Sequence, residues 1–315
     1  MRRRIYSELL PHDDVVADRT LRLLVRYRLE LVLAVRPWDL ARLPDVAGAL
    51  RDAGVTFSLW PMLADDDGRW ANAGNAETFR ALLLRTCDAA SPDDVLVDLE
   101  PPFAQAKALT HVRPKLDALA PPPDLAHGRA VLGRTVDELA VRGITTSLAV
   151  WPLVALDATS GRGWQQLLGT PVDGLAASHV SIMMYTSLLE GWSRGAVRRT
   201  DAAALLAGAT RRALRRWGPR AGVSLGCVGV GAFGDEPVYR DARELADDVA
   251  IARAAGCDAL SLFDLAGVLA RPRPEPWLDA FVDGGDADHR AGNRVRLARI
   301  AARIATRALA LSRRA

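Results

Sequence analysis

Short apolar runs rich in β-branched residues alternate along this chain with segments of helical period, and that alternation limits what it can fold into. The runs fall at 4–9, 29–35, 55–62, 94–102, 144–152, 179–187, 222–230 and 259–265, the first being the least pronounced. Helical spacing lies between them at 14–27, 75–90, 105–119, 125–142, 201–217 and 241–255, and one more helix runs to Ala53, where Gly54 stops it. The segment 188–199 is expected to be a loop. Strand, helix, strand in regular succession implies parallel strands joined by right-handed crossovers.

Residue parity chooses between an open sheet and a closed barrel, because successive side chains of a strand point to opposite faces. Ser58, Ser147, Ser181, Ser224 and Ser261 take equivalent positions in five runs. Stepping by two towards the C-terminal ends gives Trp60, Trp151, Met183 with Tyr185, Gly226 and Phe263. A matched inner layer is what a closed barrel needs and an open doubly wound sheet does not. The expected fold is α/β, a (β/α)8 TIM barrel over residues 1–283. Residues 284–315 are expected to be a linker and an amphipathic helix with Leu297, Ile300, Ile304 and Leu311 on one stripe and five arginines beside it.

The run 94–102, Asp-Val-Leu-Val-Asp-Leu-Glu-Pro-Pro, puts Asp98 and Glu100 on one face and Val95, Val97 and Leu99 on the other. In a barrel of this kind the outer face packs on helices, and the C-terminal end of the inner face opens into the active-site mouth. Pro101 and Pro102 end the strand, since neither can donate to a ladder. Two carboxyls on the fourth strand, Tyr185 on the sixth and tryptophans between them make a mouth suited to sugars. Aromatic rings offer apolar faces to pyranose C–H groups, and carboxyls supply the proton transfer that glycosidic cleavage needs. Trp60, Trp151, Phe263, Met183 and Arg36 are the expected substrate contacts. Glu8 is a further mouth candidate, whereas Asp264 has the parity of the outer face.

The series Asp93-x-x-Leu96-x-Asp98-x-Glu100 resembles the fourth-strand motif Asp-x-x-Asp-x-Asp-x-Glu of family 18 glycoside hydrolases, the chitinase-like barrels, at three of four positions. Met183-x-Tyr185 resembles the Met-x-Tyr-Asp of that family's sixth strand, with Thr186 in place of the aspartate. Phe263 stands where the eighth strand usually carries tryptophan, and the third-strand Ser-x-Gly-Gly has no counterpart in 57–62. The resemblance implies a divergent glycoside hydrolase of N-acetylglucosamine-containing glycans. Glu100 would be the general acid, and Asp98 would orient the 2-acetamido group, whose carbonyl oxygen attacks the anomeric carbon. Tyr185 would hydrogen-bond that same group. Like charge on neighbouring carboxyls would keep Glu100 protonated while Asp98 stays ionised. Leu96, in place of the middle aspartate, would shorten the proton relay. Two other readings compete: a carbohydrate-binding barrel without turnover, and a barrel hydrolase holding a divalent metal on Asp98 and Glu100.

Composition excludes other classes. The formal net charge is only +3, with the basic excess at the two ends, so no nucleic-acid partner is expected. His12, His111, His127, His179 and His289 are scattered without ligand spacing, so no histidine-based metal centre and no cofactor are expected. Cys87, Cys227 and Cys257 are expected to be buried thiols. No apolar stretch of signal-peptide length precedes Glu8, and no run approaches the roughly 20 apolar residues of a spanning helix, which predicts a soluble, cytoplasmic chain. The C-terminal basic helix is expected to lie on the barrel or a partner, with weak contact to an anionic membrane surface as the second reading.

Overall fold

The computed structural model describes residues 1–110, 124–157 and 163–285. The proline triplet at 121–123 and the C-terminal basic helix lie outside the described residues. Eight parallel strands close into one barrel in chain order: β1 (Arg2–Ser7), β2 (Glu30–Val35), β3 (Phe57–Pro61), β4 (Asp94–Leu99), β5 (Thr145–Val150), β6 (His179–Met183), β7 (Ala221–Gly226) and β8 (Ala259–Phe263). The expected (β/α)8 barrel is the fold. Around it run α1 (His12–Val15), α2 (Asp18–Tyr27), α3 (Leu43–Asp52), α4 (Ala76–Ala90), α5 (Phe103–Thr110), α6 (Leu125–Val141), α7 (Trp164–Leu168), α8 (Thr186–Trp192), α9 (Arg199–Trp217), α10 (Ala242–Ala254), α11 (Leu265–Leu269) and α12 (Glu275–Asp283). Among the described residues no helix is long and apolar enough to cross a membrane.

Two departures from the sequence expectation have local causes. The helix expected over 14–27 is two helices, and Val25, placed on its inner side by periodicity, is 47% exposed. The segment expected to be a loop at 188–199 begins inside α8, whose seven residues are too few to show a helical period. Its Leu188, Leu189 and Trp192 turn to the barrel mouth.

The barrel wall separates two apolar clusters. Val95, Val97 and Leu99 join the cluster between wall and helices, while Leu96 packs inside with Tyr6, Val32, Trp60 and Phe263. Gly54, at φ +72°, lets the chain turn from α3 into β3, a conformation that favours glycine.

The N-terminal end of the barrel is closed by a buried polar plug. Arg4, 1% exposed, places Nη2 2.8 Å from Asp94 Oδ2 and 2.6 Å from Glu30 Oε1. Asp94 also accepts from Ser58, Thr145 and Ser147 at 2.7–3.0 Å. Ser181 and Ser224 are 2.8 Å apart, and the Tyr6 hydroxyl lies 3.0 Å from Ser224. The five serines do face the interior, but on a slope. Ser224 pairs with Ser261 in register, whereas Ser147 pairs with His179 and Ser181 with Ala149, as strand tilt requires. Burial pushes the His179 imidazole down to about 4, and a Cβ on Gly222 would come within 2.3 Å of its ring.

Candidate active site

The opposite end of the barrel opens into a cavity of about 510 Å³. The tip of β4 forms part of its wall. Ala71, from the connection between β3 and α4, clamps that tip: its N–H donates to the Asp98 carbonyl at 2.9 Å, and its carbonyl accepts from the Glu100 N–H at 3.1 Å. Pro101 and Pro102 follow at once, and α5 starts at Phe103. Asp98 is 3% exposed and Glu100 9%.

The two carboxyls are hydrogen-bonded to each other, and burial raises both. Glu100 is pushed up to about 7, held back by the Trp151 indole, whose Nε1–H donates to Oε2 at 2.6 Å. Asp98 rises well above the ordinary carboxylate range, first through burial and then through the charges of Glu100 and Glu8. Its Oδ1 is buried without a partner. Both acids of the pair are therefore raised by the same cause, and Glu100 is the one with a compensating donor. Desolvation acts on both acids, and only Glu100 has an N–H donor to stabilise its charged form.

Aromatic rings surround this pair in two groups. In the floor, Tyr6 packs edge-on against Trp60 with ring centres 5.3 Å apart, and Phe263 lies 5.5 Å from Tyr185. Tyr185 lies two residues beyond the last residue of β6, caps α8, and has its phenol pushed up by burial. Higher up, Trp70, Phe103, Phe233 and Trp192 form a second chain of rings at 5.3–6.0 Å. Trp60 Nε1 is buried without an acceptor.

Of the residues expected from the sequence, Glu100, Asp98, Tyr185, Trp60, Trp151, Phe263 and Met183 all line the cavity. Arg36 does not. Its guanidinium binds Asp65 at 2.7 Å and stacks 4.8 Å over the exposed Trp38 ring. Glu8 lines the cavity and accepts from Arg69 at 2.7 Å. Asp264 is fully buried away from it and caps α11 by accepting from the Gly267 N–H at 3.0 Å.

Parity reasoning missed Trp70, Trp192, Phe233 and Glu236, which also line the cavity. All four lie beyond strand ends, where side chains have no period. The available signal for two of them was the glycine-rich stretch after β7. Gly229 to Gly234 has the Gly-x-Gly-x-x-Gly spacing of a nucleotide-binding turn, yet α10 starts only at Ala242, so no helix N-terminus stands over it. Among the described residues no group of three or more His, Cys, Asp or Glu side chains is placed to hold a metal ion. All three cysteines are free and buried.

Fold and site together define a (β/α)8 barrel with paired acids in an aromatic cavity at its C-terminal mouth. No family model matches the chain, and no curated protein sequence matches it. Solved structures do. The PgaB (BpsB) glycoside hydrolase domain from Bordetella bronchiseptica aligns with a TM-score of 0.56 at 13% identity, covering 89% of this chain and 99% of that one. A chitinase from Chromobacterium violaceum gives 0.54 at 13% identity over 89% and 97%. The Bacillus megaterium spore cortex-lytic enzyme SleL gives 0.51 at 12% identity over 92% and 75%. The first two are described as a glycoside hydrolase domain and a chitinase, and at such identity the likeness is one of fold.

Proposed function

We propose that this barrel is a retaining glycoside hydrolase of N-acetylglucosamine-containing glycans. One observation carries the reading: Asp98 and Glu100 lie buried together at the wall of an aromatic-lined cavity, where burial raises both carboxyls and pushes Glu100 up to about 7. A general acid works best when its pKa lies near the working pH. The barrel neighbours described as a glycoside hydrolase domain and a chitinase add support.

The chemistry follows from the pair. An incoming 2-acetamido group offers Asp98 an N–H to accept, which favours its anionic form and leaves the proton of the pair on Glu100. Glu100 then protonates the glycosidic oxygen as the C1–O bond breaks. The acetamido carbonyl oxygen bonds to C1 in place of an enzyme nucleophile. Tyr185 donates to that group and holds it under the sugar. Water, deprotonated by the Glu100 carboxylate, opens the cyclic intermediate with net retention, which returns the proton to Glu100.

The test is hydrolysis of a chromogenic N-acetylglucosamine oligomer by the wild type and by Glu100→Gln, with thermal unfolding as the control for fold. Loss of turnover with binding retained is expected. Binding with no turnover by the wild type at any pH would instead identify a carbohydrate-binding barrel. Activity lost in chelator and restored by a divalent metal would overturn the proton-transfer scheme.

A further inference from the structure

One side of the cavity is aliphatic where the rest is aromatic or acidic. Leu153 follows β5, Met183 ends β6, Leu188 and Leu189 lie in α8, and Val197 comes just beyond it. All five are half-buried and line the cavity, so apolar surface is left facing the opening. A contiguous apolar patch that stays open on a folded chain marks a place where something binds.

The packing behind α8 keeps that patch open. Thr186, the first residue of the helix, donates to Asp248 of α10, and the Tyr239 hydroxyl donates to the same carboxyl at 2.8 Å. Arg199 of α9 supplies the counter-charge at 2.7 Å. Ser187 accepts from the Cys227 N–H at 2.7 Å, and a Cβ on Gly191 would come within 2.3 Å of Pro237. With its start bonded to α9 and α10 and its end pressed on the connection after β7, α8 is fixed in place, and its leucines stay at the cavity surface.

Hydrogen-bonding capacity on this side is spent. The Trp151 indole N–H is taken by Glu100. The Ser193 hydroxyl donates to the Glu190 carbonyl and accepts from the Val197 N–H, each at 2.9 Å. Among the described residues the whole lining contains no Asn, Gln, Arg, Lys or His. A second sugar against this wall would bury several hydroxyls with only the Trp192 indole N–H among its side chains to pair them, and an unpaired buried hydroxyl is unfavourable. A hydrocarbon chain carries no such groups.

We propose that this wall holds an apolar aglycone, so that the substrate class is a glycan joined through N-acetylglucosamine to a hydrocarbon chain, as in a glycolipid. The proposal rests on the glycosidase reading of Asp98 and Glu100 and names the group that leaves. Glu100 is bonded to Trp151, two residues before Leu153, so the oxygen it protonates lies beside the start of the wall. The sugar sits between the acid pair and Tyr185, and the chain runs along Leu153, Met183, Leu188 and Leu189. Cleavage of the C1–O bond releases the chain as an alcohol whose oxygen carries the Glu100 proton. Water supplies the new hydroxyl at C1 and returns a proton to Glu100. The cavity of about 510 Å³ falls within the roughly 300–1,000 Å³ of sites that enclose one small ligand, which suits one sugar with its chain.

Calorimetry on the Glu100→Gln protein, which keeps ligands intact, decides the matter with three probes: methyl N-acetylglucosaminide, octyl N-acetylglucosaminide below its micelle concentration, and the N-acetylglucosamine trimer. A buried methylene contributes about fourfold in affinity at most, so the octyl compound should bind at least about tenfold more tightly than the methyl compound, and more tightly than the trimer. Adding Leu189→Asn, with a melting curve as the control for fold, should cut the octyl-to-methyl ratio by about threefold or more. An unmoved ratio places the chain elsewhere and overturns the wall. Where that variant does not fold, the ratio in the protein that keeps Leu189 is decisive. Equal binding of the methyl and octyl compounds, or tighter binding of the trimer, overturns the apolar site, and cleavage of the trimer by the wild type then leaves the hydrolase reading standing. If the octyl compound binds most tightly but the wild type neither releases octanol nor cleaves the trimer, the hydrolase reading falls and the hydrocarbon site stands.

Discussion

Trp151 reaches across from the end of β5 and donates its indole N–H to Glu100 Oε2 at 2.6 Å, so the proposed general acid is tuned by a neighbouring strand. This bond stabilises only the charged form of Glu100. Trp151→Phe keeps an aromatic ring and removes the donor, so the carboxyl pKa should rise further above about 7. A hydrogen bond to a charged group is worth about 1.5–3 kcal/mol, which corresponds to roughly one to two pH units. Because the acid must be protonated to act, the alkaline limb of the pH–rate profile should move upward by that amount. An unmoved or lowered limb would refute the assignment.

Asp98→Asn should reduce kcat by about 10²- to 10⁴-fold, the usual contribution of a positioned proton-transfer group. Thermal stability should hold or rise, because a buried acid whose Oδ1 has no partner becomes a neutral amide. Steady-state kinetics and a melting curve on the same sample check this. A kcat within about twofold of wild type would remove Asp98 from the mechanism.

Stability should fall as pH rises from about 4 to about 7. Unfolded carboxyls titrate near 4, whereas burial holds Asp264 and Glu100 at about 7 in the folded chain. Across that window the native state binds more protons than the unfolded state, so the slope of unfolding free energy with pH is negative. Asp264→Asn retains an acceptor for the Gly267 N–H and loses the titrating group. It should flatten the profile and raise the melting temperature at alkaline pH, measured by unfolding at several pH values. A profile as steep as wild type would exclude Asp264 as a contributor.

Arg4→Ala should destabilise the barrel by about 3 kcal/mol or more, because removing one partner of a buried ion pair leaves an uncompensated charge. Glu30 keeps Arg2 at 2.8 Å, but Asp94 keeps Arg2 only at 3.8 Å and otherwise has hydroxyl partners. Urea unfolding gives the number, and a change below about 1 kcal/mol would contradict the role of the plug.

Much of this was legible in the sequence because strands encode direction. Val95, Val97 and Leu99 alternate with Leu96 and Asp98, and the period of two is enough to assign each to the outside or the inside of the barrel. The same parity placed Trp60, Trp151, Tyr185 and Phe263 at the mouth. It could not reach Glu236 or Phe233, which lie in a connection whose side-chain directions follow from turns and from Gly231. Nor could it reveal that Arg4 and Asp94, 90 residues apart, meet across the interior. That burial raises both Asp98 and Glu100 also escaped it, since that depends on how far each is desolvated and on which acid receives the Trp151 N–H.

The plug around Arg4 bears on traffic as well as on stability. With the far end of the barrel filled, the chamber is blind, and whatever enters must leave by the same opening. A polymer cannot be threaded through. Under the proposed reading a glycan would have to present a terminus or lie across the rim, and products would leave by the same single doorway.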